Sequence, residues 1–189
     1  DLLKRRDNAQ IVKHVFGGML DIIMREQSIP KAIQFVRDEC HKVLRGEFPL
    51  NMFIITKTLR SYYKKPESIP HNVLAQRIAK RDPGNKPRGN DRIPYAYIKI
   101  DDKSVGQGAG QGVGQGERIE TPDYITAHGL RLDYGYYITN QIMNPVTQVL
   151  ELTGKGARLF DELLLDYRLE QEGARRLTSG FSRFIKLHE

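Results

Sequence analysis

Residues 52–59, MFIITKTL, and 71–100, HNVLAQRIAKRDPGNKPRGNDRIPYAYIKI, decide how this chain folds. The first stretch is dense in β-branched and aromatic residues, which suit a pleated, half-buried strand. Pro66 and Pro70 then interrupt the chain. From 71 to 81 the spacing of Val73, Leu74 and Ile78 predicts a short helix whose other face carries Arg77, Lys80 and Arg81. The run DPGNKPRGN at 82–90 is made of turn formers and holds Lys86 and Arg88, so it reads as a basic loop. It leads through Arg92 into Ile93-Pro94-Tyr95-Ala96-Tyr97-Ile98-Lys99-Ile100, a second strand expected to pair with the first.

On the N-terminal side, Val12, Val15, Phe16, Met19, Leu20 and Ile23 form the apolar stripe of a helix over 11–25, which Asp7 or Asn8 could cap. Gly17-Gly18 inside it marks close packing against a neighbour. A second helix follows Ser28-Ile29-Pro30, with Ala32, Ile33, Phe35, Val36, Cys40, Val43 and Leu44 on one side and Gly46 as its stop. On the C-terminal side, GQGAGQGVGQG at 106–116 has no side chain able to build a core and predicts a mobile loop. It has neither the Gly-Lys-Ser/Thr ending nor the following helix of a phosphate-cradling loop. Thr121-Pro122-Asp123-Tyr124 reads as a capped short helix. A long helix over 133–153, kinked by Pro145, turns Tyr137, Ile138, Ile142, Val146, Val149 and Leu150 inward. A last helix spans 157–170, before a frayed tail from 173. The fold class is therefore α+β, mainly helical, with a small β-ribbon or sheet.

At 189 residues and 39% hydrophobic content the chain suffices for one well-buried domain with at most a small appendage. No apolar run approaches the roughly 20 residues of a membrane span, and nothing resembles a signal peptide. A soluble, intracellular protein with no membrane partner is expected. The single cysteine, Cys40, excludes an internal disulfide framework and reads as a small buried hydrophobe. The net charge of +7 is unevenly spread: residues 1–100 carry +10 and residues 101–189 carry −3. Between 57 and 92 there are ten basic side chains and three acidic ones. A polyanion is the natural partner of such a stretch, against the plainer reading of a solvated basic face.

No constellation supports catalysis by itself. The five histidines stand singly, without the spacing of a metal site, and Cys40 has no histidine partner nearby in sequence. No cofactor is expected on these residues. Binding chemistry is better represented: strand, basic helix and Pro/Gly loop offer cationic groups on a semi-rigid scaffold, interleaved with Tyr62, Tyr63, Tyr95 and Tyr97. Contacts of that kind track a phosphate backbone and predict salt-sensitive binding without base preference.

Five blocks, in order, carry a family resemblance. They are Lys4-Arg5-Arg6-Asp7-Asn8-Ala9 with Ile11-Val12-Lys13; Ile55-Thr56-Lys57-Thr58-Leu59; His71-Asn72-Val73-Leu74-Ala75-Gln76-Arg77; Arg81-Asp82 leading to Asp91-Arg92-Ile93-Pro94-Tyr95; and Leu132-Asp133 through Tyr136-Tyr137-Ile138 to Asn140-Gln141-Ile142 and Pro145. This series resembles the C-terminal region of family B DNA polymerases, especially delta-like replicases and their relatives in large DNA viruses. The resemblance implies that helices within 1–50 close the palm and that 51–189 is the thumb subdomain, with 105–117 a flexible loop inside it. It implies primer-template double-stranded DNA as partner, together with the palm, fingers and exonuclease domains of the parent polymerase. Lys57, His71, Arg77, Lys86, Arg88 and Arg92 become phosphate-side contacts. Tyr136, Tyr137 and Gln141 shape or support the duplex-facing surface, with Tyr137 equally a core candidate.

In the family, palm aspartates hold two metal ions, so Mg²⁺ is implied for the parent enzyme. Those aspartates have no counterpart in these 189 residues. Asn90 stands where the family usually has glycine, and the glycine/glutamine stretch has no family equivalent. The absence of the cysteine-rich motifs of cellular delta polymerases favours a viral relative, acting in the nucleus or at a cytoplasmic viral replication site. Residues 179–184, SGFSRF, are weighed as a sliding-clamp peptide but lack its glutamine. The rival reading is a stand-alone basic adaptor that binds RNA or protein. Under the polymerase reading the segment alone should be inactive; nucleotide incorporation by the purified chain with magnesium, primer-template and dNTPs would refute this.

Overall fold

The computed structural model describes residues 2–5, 7–100, 114–153, 159–161, 163–165 and 168. Helix α1 (Gln10–Glu26) buries Ile11, Val12, Val15 and Met19, and ends on Gln27 in the left-handed conformation (φ 50°). Helix α2 (Ile29–Leu44) starts where Ser28 accepts the Lys31 amide and Pro30 occupies the first turn, and it buries Ala32, Val36, Cys40 and Val43. The two helices pack against each other. Gly18 makes their approach tight, since a Cβ there would overlap the ring of Phe35. Gly46 follows α2 at φ 70°, a conformation that glycine adopts without penalty, and its amide donates to the Val43 carbonyl. Neither expected cap serves α1: the N-cap is Ala9, while Asn8 donates to the Leu2 carbonyl and Asp7 is held by Arg5 and Lys57.

A 3₁₀ turn (Leu50–Phe53) drops the chain into strand β1 (Ile55–Thr58). Helix α3 (Pro70–Arg81) follows, then strand β2 (Arg92–Tyr97), a 3₁₀ turn (Gln115–Arg118) and strand β3 (Ile119–Glu120). The strands form one antiparallel sheet in the order β1-β2-β3, with Ile55 opposite Tyr95, Thr58 opposite Arg92 and Tyr97 opposite Ile119. The pairing of the first two strands is the one expected; the two-residue β3 is too short to carry a periodic signal. Alternation gives the sheet two faces. Ile55, Ile93, Tyr95, Tyr97 and Ile119 point into the core, whereas Thr58, Arg92, Pro94 and Ala96 lie on the other side.

Helix α4 (Pro122–His128) is capped by Thr121, whose hydroxyl accepts the Tyr124 amide, and it ends on Gly129 at φ 59°. Asp133 caps α5 (Tyr134–Tyr136), which runs through a π-helical turn (Tyr137–Ile142) into α6 (Met143–Glu151). The long helix is thus present, but its irregularity falls one turn before Pro145. The Met143 amide bonds Ile138 rather than Thr139, the i→i+5 pattern, and Pro145 has no amide to give the carbonyl of Gln141. Leu159, Phe160 and Leu163 are buried against the same core. Other residues of the helix expected over 157–170, including Tyr167, lie outside the described residues, as do 101–113 of the glycine/glutamine region and the tail from 169. The end of that glycine stretch is ordered: Gly116 is buried and packs so closely on Val73 that any side chain there would clash.

Cys40 is fully buried, and burial pushes its thiol up to about 12. Tyr137 is the largest fully buried side chain. Its hydroxyl donates to the Phe53 carbonyl at 2.6 Å and accepts the Tyr97 amide at 2.9 Å. Burial raises the pKa of this phenol far above its ordinary value, so it acts only as a neutral donor and acceptor. Tyr137→Phe leaves a buried carbonyl and a buried amide unpaired and should destabilise the protein by about 1–3 kcal/mol in urea unfolding; an unchanged midpoint would show that the hydroxyl is dispensable.

Candidate nucleic-acid interface

The β1–β2 ladder continues beyond its strands. The Leu59 amide donates to Asp91 O at 2.8 Å and the Asn90 amide to Leu59 O at 2.7 Å. This seats the loop before β2 against residues 59–61. Gly89 lies so close to Ser61 that a Cβ would overlap its hydroxyl. Asn90 takes φ 73°, which asparagine tolerates better than most residues, so the turn survives without the family's glycine. Asp91 closes the turn by accepting the Arg88 amide at 2.7 Å and donating its own amide to Arg88 O.

On this braced loop Lys86, Arg88 and Arg92 are exposed, and their side chains make no hydrogen bond or ion pair among the described residues. Arg60, also exposed, leads out of the neighbouring chain segment at 59–61. A set of exposed cations on a braced turn suits a polyanion, because the backbone is already placed and, among the described residues, no internal pair has to be broken.

Lys57 and His71 lie close to this end of the sheet. Lys57 Nζ is 3.0 Å from Asp7 Oδ2, and Arg5 grips the same carboxylate at 3.0 and 3.1 Å. The Lys57 hydrogen bond, ahead of that from Arg5, holds Asp7 below its ordinary pKa against a burial penalty. His71 is half-buried. The Arg60 amide donates to the Tyr63 hydroxyl at 2.8 Å, and that hydroxyl meets His71 Nε2 at 3.0 Å. The ring also bonds the Thr58 backbone. Burial first, and the Lys57 charge second, lower its pKa below 6.5. At neutral pH His71 is therefore uncharged and braces the Arg60 segment rather than adding a cation.

Arg77 is placed differently from expectation. Its guanidinium is turned inward: Nη1 to Glu117 at 3.1 Å, Nη2 to the carbonyls of Gly116 and Ile119 at 3.0 and 2.7 Å, and Nε 3.2 Å from Glu120 Oε1. Both terminal nitrogens are hydrogen-bonded within the protein, and the buried Nε, which makes no hydrogen bond among the described residues, lies within ion-pair distance of Glu120, so the geometry gives Arg77 a structural task in place of a phosphate contact. Tyr136 and Tyr137 are on the core face of the sheet. Tyr136 is half-buried and stacks on Tyr97 at 3.8 Å between ring centroids, while Tyr137 is core. Gln141, in the π-helical turn, is half-buried, and its Oε1 is sealed from solvent without a partner. These three are separated by the sheet from the side on which α3 packs, so the nine expected residues form no single surface.

The charge run 57–92 contained the signal for Arg60, which was not among the nine. Asp7 and Glu120 could not be found that way, because their partners lie 50 and 39 residues away. Among the described residues no group of three or more His, Cys, Asp or Glu could hold a metal ion. No helix among them is long and apolar enough to cross a membrane.

The model of "DNA polymerase family B" matches residues 2–153. The chain belongs to this family. It is similar to a DNA polymerase of Acanthamoeba polyphaga mimivirus, 47% identical over 98% of this chain and 11% of that protein. A DNA polymerase of Pyramimonas orientalis virus is 42% identical over 93% of this chain and 14% of its own length. The DNA polymerase delta catalytic subunit of Candida albicans is 32% identical over 98% and 17%. The chain thus spans under a fifth of these curated relatives. Its fold is similar to that of a family B DNA polymerase from the archaeon Pyrobaculum calidifontis, with a TM-score of 0.54, 20% identity, and coverage of 74% of this chain and 17% of that one. Family membership sets aside the adaptor reading.

The lowered pKa of His71 has a measurable sign. The unfolded chain binds the His71 proton more tightly than the folded one, so stability rises with pH up to about 6.5 and falls on acidification toward the folded value. Thermal melts across that window should show a falling midpoint as pH drops, and His71→Gln should flatten the trend.

Proposed function

We propose that this chain is the duplex-gripping thumb segment of a DNA-directed DNA polymerase, with the helices of residues 1–50 closing the palm. The observation that carries this reading is the exposed set Lys86, Arg88 and Arg92, unpaired among the described residues, on a loop braced by Asp91, Asn90 and Gly89. Arg60 extends the set along the adjoining segment. Lys57, already pairing Asp7, contributes a shared rather than a full charge. Such contacts grip primer-template DNA through phosphates, without reading bases, and so favour processive synthesis over sequence selection.

The rest of the parent polymerase, including palm, fingers and exonuclease domains, is the covalent partner in this account, and its palm aspartates hold the Mg²⁺ ions that align primer and nucleotide. The residues described here do no chemistry of their own: they hold the product duplex while the palm works. A delta-like viral replicase is the parent class that the similarity to viral polymerases favours. The sliding-clamp peptide considered at 179–184 lies outside the described residues.

Replacing Lys86, Arg88 and Arg92 together by alanine should weaken duplex binding and reduce the slope of log K against log salt by about 0.9 for each phosphate that is no longer neutralised. Fluorescence anisotropy over a salt series measures both. A slope equal to that of the parent chain would remove the loop from the interface.

A further inference from the structure

Glu120 is an anomaly on its face of the sheet: a carboxylate only 6% exposed, opposite Ala96 in β2. Buried carboxylates persist where they are paired and fully hydrogen-bonded. This one is met by two guanidinium groups from successive turns of α3. Arg81 Nη2 lies 2.8 Å from both of its oxygens, Arg77 Nε lies 3.2 Å from Oε1, and the Thr121 amide donates to Oε2 at 3.3 Å. Arg81 is further fixed by lying 3.8 Å above the ring of Tyr124.

The distribution of apolar anchors in α3 shows what this pairing does. The buried residues of the helix are Leu74 and Ala75, both in its first half. Beyond them Ile78 is only partly buried, and the final turns run straight into Asp82 and the basic loop. The second half of α3 is thus oriented chiefly by its two arginines, Arg81 on Glu120 and Arg77 on Glu120, Glu117 and the carbonyls of Gly116 and Ile119, and the direction in which α3 ends sets where Lys86 and Arg88 begin.

We infer that Glu120 is a positioning residue for duplex binding: by holding Arg77 and Arg81 it aims the C-terminal end of α3, and through it Lys86 and Arg88, at the phosphate backbone. The inference rests on the reading of that loop as a DNA grip. Its sign is distinctive. Removing a carboxylate makes the protein more cationic, which by charge alone strengthens attraction to DNA; misplacement of the loop weakens it.

The test is anisotropy of a labelled blunt duplex with Glu120→Gln in the full chain, over a salt series, with circular dichroism to confirm the fold. Binding scales as salt to the power of about −0.9 for each phosphate neutralised, so one fewer such phosphate lowers affinity about eightfold at roughly 0.1 M salt and the slope by about 0.9. Equal or tighter binding with an unchanged slope overturns the inference, even if the melting temperature falls. Should Glu120→Gln not fold, Glu120→Asp decides by the same criteria, since it keeps the charge but withdraws the carboxylate by one methylene. The Lys86/Arg88/Arg92 triple variant runs alongside. If its slope drops and those of the Glu120 variants do not, only the role of Glu120 fails. If its slope is also unchanged, the DNA-grip reading fails and this inference falls with it.

Discussion

The hydroxyl of Tyr137, closed between the carbonyl of Phe53 and the amide of Tyr97, is the bond on which the arrangement turns. It joins a residue of the π-helical turn to positions 84 and 40 residues earlier in the chain. Around it, Phe53 meets Tyr134 and Tyr137, and Tyr97 meets Tyr137, edge to face at centroid distances of 5.0 to 5.8 Å, the geometry favoured by ring quadrupoles. Phe53 ends the turn that leads out of the α1–α2 pair, and Tyr97 ends the central strand. One side chain therefore registers the helical layer against the sheet, and the basic loop takes its position from that sheet at one end and from α3 at the other.

The sheet separates two kinds of cohesion. On its core face the buried side chains are apolar and aromatic, with the Lys57–Asp7 pair at its margin, and burial raises the pKa of Tyr95 to about 12 and that of Tyr97 well above its ordinary value. On the face toward α3, cohesion is ionic at its far end, where Glu120 gathers two arginines. At the near end, beyond Thr58 and Arg92, cations stand without partners among the described residues. Exposed charges of like sign repel weakly in water and are screened within about 8 to 10 Å at physiological ionic strength, so the fold carries this cluster at small expense.

Much of this was legible from residue pattern. Strands one and two, their pairing, α1, α2 and α3, the Thr121 cap and the close packing at Gly18 follow from periodicity, β-branching, capping chemistry and glycine placement, all local signals. Where the reading differed from the structure, a distant residue intervened. Asp7 does not cap α1 because Lys57, 50 positions on, takes its carboxylate. Arg77 sits on the polar side of an amphipathic helix, as expected, yet that side meets the 116–120 segment and not solvent. The break in the long helix appears before Pro145 because a missing amide is felt by the carbonyl a turn earlier. Local patterns report which face is polar; they do not report what lies against it.

The contact between Gly116 and Val73, together with the Arg77 bonds to the carbonyls of Gly116 and Ile119, fixes the chain on one side of residues 101–113, and the bridge of Ile98 to Leu132 with the Lys99 amide on the Arg131 carbonyl fixes it on the other. Once the return point is anchored, the entropy of closing the intervening chain grows only logarithmically with its length, by about 0.6 kcal/mol per doubling. Insertions between these anchors are consequently almost neutral for the fold, so a low-complexity glycine/glutamine stretch can be accommodated there, a few residues from a sheet that tolerates no shift in register.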